Sequence, residues 1–283
     1  MFKIATLADW FGVGLLEGIR ESRRCGAEGV QIYAADEFDP RTVSADMIAA
    51  VRDTARNEGQ TVTALCGELG GYGLEKAEDN EVKLAYLKKV IQLADMVDCR
   101  IVTTHIGVVP GDKSDPRYQI MLEAMGEMGE YAHRMGSYVA VETGPEAIAT
   151  LRGFLEQCGP GVGINYDPAN LVMVGADDEV TAVKTAGSLI VHTHAKDGCS
   201  LKKIAPADFY HNFAEGGLEW ASTCGVCRET PLGEGAVRWV PYLNALKEIG
   251  YNGYLTIERE VKNGAEDIRM AVSFLRKTLE TLQ

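Results

Sequence analysis

Short apolar runs rich in β-branched residues alternate with longer amphipathic stretches from one end of the chain to the other. The runs predict strands at Phe2–Leu7, Gly29–Tyr33, Thr61–Cys66, Arg100–His105, Tyr138–Glu142, Val162–Tyr166, Leu189–His194 and Gly253–Ile257. Between them, helical spacing predicts Glu81–Val97, with an apolar stripe of Val82, Ala85, Tyr86, Val90, Leu93, Ala94 and Val97, and also Ile120–Met135 and Glu266–Leu282. Strand and helix in alternation is the pattern of a parallel sheet covered by helices, and it excludes an all-β fold or a helical bundle. Eight such units close a (β/α)8 barrel, so the expected fold class is α/β, a TIM barrel formed by residues 1–283 as one domain. An open doubly wound sheet is the competing arrangement. The segment after the first strand, Leu7-Ala-Asp-Trp-Phe-Gly-Val-Gly14, has the wrong spacing for the glycine turn of a dinucleotide site.

Two connections depart from short turns. Leu65-Cys-Gly-Glu-Leu-Gly-Gly-Tyr-Gly-Leu74 is glycine-rich and follows the third strand. The stretch 196–235 is far longer than a usual strand-to-helix turn, and its Phe209, Tyr210, Phe213 and Trp220 favour an ordered lid-like loop. Both follow strands, so in a barrel both lie on the face where active sites are built.

The later strands end in polar residues: Glu142, Asp167 just past strand six, His194 and Glu258. If Val139, Val141, Ile164, Val191, Leu255 and Ile257 pack outward on helices, parity turns all four of these inward. Singly, each has an ordinary structural explanation: a salt-bridge partner, an N-cap at Asp167 before Pro168, a hydrogen-bonded core histidine. Together, three carboxylates and an imidazole converging in a low-dielectric mouth require something positive between them. One divalent cation meets that need. An oxygen-rich set with one nitrogen suits Mn²⁺ first, with Mg²⁺, Co²⁺ or Zn²⁺ as alternatives.

Further candidates follow from position. His105 closes strand four facing inward and is a candidate for acid–base work. His192 lies one layer below His194, with a substrate contact or a core role open to it. Lys196 continues the face of His194 and can hold a substrate oxygen, with Asp197 beside it to orient it. Glu68 and Arg228 lie on connections able to reach the mouth, and Trp10 after strand one can stack on a sugar ring; surface or core placement is the alternative for each. Cys224-Gly-Val-Cys227 has the spacing of half a zinc knuckle, but no second Cys/His pair follows. The Met-rich run from Met121 to Met135 reads as the packed face of a helix.

Composition narrows the partners. With a net charge of −13 and no Lys/Arg run, the chain offers no electrostatic footprint for nucleic acid. No segment has the uninterrupted apolar length of a membrane helix, and the first residues carry no leader-like pattern. Seven scattered cysteines, an odd number, fit reduced thiols and a cytoplasmic location better than a disulfide framework.

The motifs Val-Glu142-Thr-Gly, Asp167-Pro-Ala-Asn170-Leu, His194-Ala-Lys-Asp197, Pro231-Leu-Gly-Glu-Gly235 and the late Glu258 make the chain resemble the xylose-isomerase-like TIM barrel superfamily of sugar phosphate isomerases and epimerases. The resemblance implies that Glu142, Asp167, His194 and Glu258 hold the metal, as parity also suggests. It further implies that Glu142 and Glu258 exchange protons with opposite faces of a substrate carbon. There is one departure: Asn170 stands where the family's ketose epimerases carry His, and a neutral amide orients a hydroxyl or carbonyl without shuttling a proton. The expected chemistry is proton abstraction α to a carbonyl of a sugar or polyol through an enediolate, with Glu142, Glu258 and His105 as the acid–base groups. Asn170, Lys196, Glu68, Arg228, Trp10 and His192 are the candidate substrate contacts. The same enediolate can expel a leaving group, so a lyase of the superfamily, an inosose-type dehydratase or a 3-keto-glycoside-cleaving enzyme, is the alternative. A non-catalytic sugar-binding protein is a further reading. Abasic-site endonucleases share the barrel, but five histidines in all are too few for their three-zinc site. The resemblance also implies a homodimer or homotetramer.

Overall fold

Alternate residues of the barrel strands divide between two environments. Val139, Val141, Ile164, Leu255 and Ile257 belong to the main apolar core, with Val191 half-buried beside them. Residues of opposite parity, among them Gln31, Thr103, Asn165, His192, His194 and Thr256, are buried and hydrogen-bonded to one another across the interior. A polar interior layer of this kind is stable only when its groups satisfy each other.

The computed structural model describes residues 2–259 and 264–282. Its strands are β1 (Lys3–Leu7), β2 (Gly29–Tyr33), β3 (Thr61–Cys66), β4 (Ile101–Thr104), β5 (Tyr138–Glu142), β6 (Val162–Tyr166) and β7 (Ile190–Ala195), then a small pair, β8 (Asp197–Ser200) and β9 (Cys227–Thr230), and finally β10 (Tyr254–Ile257). β1 to β7 pair in parallel in chain order, and β10 closes the barrel between β7 and β1. The helices are α1 (Leu15–Arg24), α2 (Ala45–Asn57), α3 (Ala77–Met96), α4 (Pro116–Arg134), α5 (Ile148–Leu155), α6 (Pro168–Val174), α7 (Thr181–Ala186), α8 (Pro206–Thr223), α9 (Trp239–Glu248) and α10 (Gly264–Glu280). The chain is thus a closed eight-stranded parallel barrel ringed by helices, as the alternation predicts.

Three expectations are corrected in detail. The stripe of α3 is displaced in its first half: Val90, Leu93, Ala94 and Val97 are buried as predicted, but Leu84 and Leu87 are buried in place of Val82, which is 74% exposed, and the exposed Ala85. Packing selects the side carrying the larger leucines, because buried apolar area sets the energy. α4 starts four residues before the predicted Ile120, where Asp115 caps the helix through Arg117 N and Pro116 takes the first position. Its Met121, Met125 and Met128 are buried, in line with a packed methionine face.

The third correction concerns 196–235, which is not a loop. It contains the antiparallel pair β8–β9 and helix α8, kinked at Gly217 where φ is 60°. Phe209 and Val226 bury against Val174 of α6, with Tyr210, Trp220, Cys224 and Cys227 packed around them. The insertion therefore has a small apolar core of its own, and Cys224 and Cys227 contribute to it. Among the described residues the strand-end four are the sole group of three or more metal-ligating side chains, so the half knuckle gains no partners. No described helix is long and apolar enough to cross a membrane.

Asp197 ties this insertion to the barrel. Its Oδ1 accepts from Gly198 N (2.9 Å) and Val237 N (3.1 Å), and its Oδ2 from Gly233 N and Trp239 Nε1 (both 2.9 Å). Asp197 thus organises the Pro231–Gly235 segment, a role parity alone did not suggest. Replacing a buried carboxylate that accepts several hydrogen bonds leaves its donors unsatisfied. Asp197→Ala is expected to lower stability by about 3 kcal/mol in urea denaturation; a loss below about 1 kcal/mol would show these bonds to be dispensable.

Candidate metal centre and active site

Strand ends bring four side chains to one point. Glu142 is the last residue of β5, Asp167 follows β6, His194 lies near the end of β7, and Glu258 follows β10. All are buried, with His194 1% and Asp167 0% exposed, and their ligand atoms lie within 4.8 Å of one another. His194 Nδ1 is 3.5 Å from Glu142 Oε1, 3.2 Å from Glu258 Oε2 and 3.9 Å from Asp167 Oδ2. Two donors each about 2.1 Å from a shared ion stand roughly 3 to 4 Å apart, so these spacings suit a single divalent cation.

The hydrogen bonds leave the right atoms unused. Asp167 Oδ1 caps α6, accepting from Ala169 N (2.8 Å) and Asn170 N (3.3 Å), while its Oδ2 is buried with no hydrogen-bond partner. The cap and the converging oxygen belong to the same residue. His194 Nδ1 is likewise buried and unpartnered, while Nε2 lies 3.1 Å from Gln31 Oε1. A proton on Nε2, donated to Gln31, turns the Nδ1 lone pair toward the carboxylates. The residues present fit a divalent metal.

The electrostatics show the same need. Burial opposes charge on every member, but the pairwise fields outweigh it in most. Lys196 and His194 hold the Glu258 carboxyl well below its ordinary value, and His105 and His194 lower Glu142. Burial pushes Asp167 up to about 7, with Lys196 opposing and the other two carboxylates reinforcing. His194 is raised well above the imidazole range because Glu258 and Glu142 more than offset its burial.

Around this set the other candidates take different places. Asn170 Nδ2 donates to Glu142 Oε1 (2.9 Å), and Lys196 Nζ to Glu258 Oε2 (3.0 Å). His105 stands at the opening, its Nδ1 3.0 Å from both oxygens of Glu68 and its Nε2 3.7 Å from Glu142 Oε1. Burial works against a charged His105, but Glu68 and Glu142 prevail and push it up to about 10. His192 is one layer down, its Nδ1 bonded to Asn165 Oδ1 (2.8 Å) and its Nε2 to Thr256 Oγ1 (3.1 Å). Two candidates sit outside this network. Trp10 packs edge-on against Tyr33, with ring centroids 6.5 Å apart, and Arg228 is exposed on β9.

Three contributors escaped the sequence reading. Gln31 and Asn165 were legible in principle, since each is a polar residue of inward parity in an apolar strand. Asn165 Nδ2 donates to Glu142 Oε2 (3.1 Å), so Asn165 and Asn170 hold both oxygens of one carboxylate. Tyr210 reaches over from α8, and a Cβ at Gly144 would lie 1.8 Å from its hydroxyl oxygen. Gly144 in the Glu-Thr-Gly motif thus makes room for the insertion, a contact that strand patterning cannot reveal.

The chain belongs to the xylose isomerase-like TIM barrel family, whose model matches residues 19–278. It is similar to a xylose isomerase domain protein from Planctomyces limnophilus, with 27% identity, 99% of this chain and 97% of that one covered, and a TM-score of 0.79. AsbF of Bacillus anthracis, described as the probable 3-DHS dehydratase, is similar in fold at 17% identity, covering 97% of this chain and 99% of that one, with a TM-score of 0.78. A D-psicose 3-epimerase is similar at 17% identity, 98% and 99% coverage and a TM-score of 0.74. The Bacillus subtilis (strain 168) protein YfiH is 28% identical over 143 residues, 48% of this chain and 42% of that protein.

Outer hydrogen bonds to a ligating imidazole typically govern metal affinity by 10–100-fold. Gln31→Ala is therefore expected to weaken Mn²⁺ binding about 10- to 100-fold in calorimetric titration of the folded metal-free protein. Unaltered affinity would remove Gln31 from the account of the site.

Proposed function

We propose that the protein is a divalent-metal-dependent sugar isomerase or epimerase that abstracts a proton α to a carbonyl and proceeds through an enediolate. The observation that carries this reading is the pairing of Glu142 and Glu258 in one buried cluster that opens to a cavity beside His105. A divalent ion held by Glu142, Asp167, His194 and Glu258, Mn²⁺ by the character of the donors, would polarise the substrate oxygens and acidify the neighbouring C–H.

The protein's own groups do the rest. Glu258, held by Lys196, takes the proton from carbon. Glu142, fixed at both oxygens by Asn165 and Asn170, delivers a proton to another face or carbon. His105, anchored by Glu68, stands at the opening as the donor to a substrate oxygen. Asn170 carries no titrating group, so its part is to orient Glu142 and a substrate hydroxyl. The barrel wall and Tyr210 limit water around the reacting carbon, which strengthens each of these interactions.

A lyase of the same superfamily is the second reading. It is favoured by the space beyond His105, where a departing group would fit, and by the likeness in fold to a dehydratase. All seven cysteines are unpaired, which suits an enzyme of the cytoplasm.

The test is solvent exchange. Mn²⁺-loaded protein in D₂O with a panel of ketoses, keto-polyols and 3-keto-glycosides is expected to place deuterium at one carbon, followed by proton NMR. Glu258→Gln at saturating Mn²⁺ should lower that rate by about 10³-fold. Loss of water or of an aglycone would favour the lyase; no exchange in any compound would contradict proton abstraction altogether.

A further inference from the structure

The seven cysteines stand in different surroundings. Cys66, Cys99 and Cys158 are buried, and burial holds each of these thiols above its ordinary range. Cys25 sits at the end of α1. The other three, Cys199, Cys224 and Cys227, are half-buried and all lie in the insertion between β7 and α9. The strand-end cluster and its hydrogen-bond partners make no use of them.

Two of the three are brought together by a corner. Cys224 follows the last residue of α8, and Cys227 is the first residue of β9. The chain bends at 224, 225 and 226 in succession, with Gly225 at a φ of 66°, a conformation that glycine adopts without strain. The Val226 carbonyl accepts from Leu201 N (2.7 Å) and Lys202 N (3.0 Å), which fixes the corner to the end of β8. Both cysteines pack against the same small cluster of Val174, Phe209 and Val226.

Strand register sets Cys199 apart. It lies opposite Arg228, whereas Cys227 lies opposite Ser200. Opposed residues share a face of the pair and successive residues alternate, so Cys199 and Cys227 point to opposite faces. Cys224 is therefore the partner within reach of Cys227.

Their surroundings assign each thiol a part. Ser222, Thr223 and Gly225 are exposed around Cys224, so a small reagent can approach it from solvent. Burial pushes the Cys227 thiol up to about 11, reinforced by Cys224 and opposed by Lys196. Cys227 also packs against the main core as well as the small cluster. A bond between the two would join the end of α8 to the barrel side of the insertion. The same helix carries Tyr210, which reaches Gly144 beside the strand-end cluster.

We infer that Cys224 and Cys227 form a reversible disulfide on meeting a low-molecular-weight disulfide such as oxidised glutathione, and that this bond tethers the end of α8 to β9. The Cys224 thiolate attacks the sulfur–sulfur bond of the reagent, which gives a mixed disulfide and releases one small thiol. The Cys227 thiolate then attacks Cys224 Sγ, closing the protein disulfide and releasing the second small thiol. Two protein thiols are oxidised and one small disulfide is reduced to two thiols, so the step needs no other reactant. A disulfide that forms and is removed in this way belongs to redox sensing in a reducing compartment, in contrast to a permanent structural bridge.

The experiment is thiol mapping on the whole folded chain. Protein reduced with dithiothreitol and freed of it is incubated with excess oxidised glutathione, free thiols are alkylated, and tryptic peptides are weighed. Cleavage after Lys196, Lys202, Lys203 and Arg228 places Cys199 in one peptide and Cys224 with Cys227 in another, 204–228. Peptide 204–228 is expected to lose two hydrogens and to escape alkylation, and dithiothreitol should restore both thiols. Cys227→Ser should instead retain one glutathione on Cys224, because the resolving thiol is gone. In the oxidised parent, amide hydrogen exchange across α8 should slow relative to the reduced protein. Alkylation of both cysteines in the parent, a cross-link to the Cys199 peptide, or a bond that appears only with loss of the far-ultraviolet circular dichroism would overturn the inference. Unchanged exchange in the oxidised protein would overturn the tether. The parent mapping needs no variant, so a poorly folding Cys227→Ser leaves the test intact.

Discussion

The mutual repulsion of three carboxylates in a dry barrel mouth is the constraint on which the rest of the site depends. Glu142, Asp167 and Glu258 converge on His194 Nδ1 within a few ångströms, where little water is present to screen them. Neighbouring groups relieve the strain only in part. Lys196 takes one oxygen of Glu258, Asn165 and Asn170 take the two oxygens of Glu142, and the start of α6 takes one oxygen of Asp167. Within this cluster, Asp167 Oδ2 and His194 Nδ1 are left buried without a hydrogen-bond partner. A divalent cation at their meeting point would complete an otherwise saturated polar network, and so the metal reading follows from the hydrogen-bond inventory as much as from ligand type.

The second organising feature is the insertion between β7 and α9. A TIM barrel places its chemistry on the loops that follow its strands, and here the longest of them has become a small substructure with its own apolar cluster. Asp197 anchors it at the base, Tyr210 reaches the Glu-Thr-Gly segment, and α8 faces the glycine-rich segment across the cavity. In the proposed function, the four strand-end residues carry the chemistry, and the cavity that Glu142 shares with the glycine-rich segment and α8 admits the substrate.

The barrel and its central residues were legible because period-two patterning assigns each strand residue to one of two faces. Glu142, Asp167, His194 and Glu258 share inward parity, and four strands ending this way in succession point to one site. Asn165 and Gln31 obey the same rule and were recoverable by asking which polar residues share the inward face of apolar strands. Other features were closed to this approach. The first half of the α3 stripe was misplaced by the presence of Val82 and Ala85 near Leu84 and Leu87, a choice that only packing decides. Helix α8 was hidden because Gly216 and Gly217 interrupt its periodicity, and because its aromatics bury against a local cluster instead of the barrel. The approach of Tyr210 to Gly144 joins positions 66 residues apart through no repeating pattern.

The most direct test of the central claim is a Mn²⁺ titration of the metal-free protein by calorimetry, beside the same titration of a variant carrying Asp167→Asn and His194→Ala. The account predicts one saturable Mn²⁺ site per chain in the parent, a melting temperature that rises with Mn²⁺ concentration by linkage, and loss of both in the variant. A parent that takes up no Mn²⁺, or a folded variant that binds it as tightly as the parent, would contradict the assignment of the cluster as a metal centre.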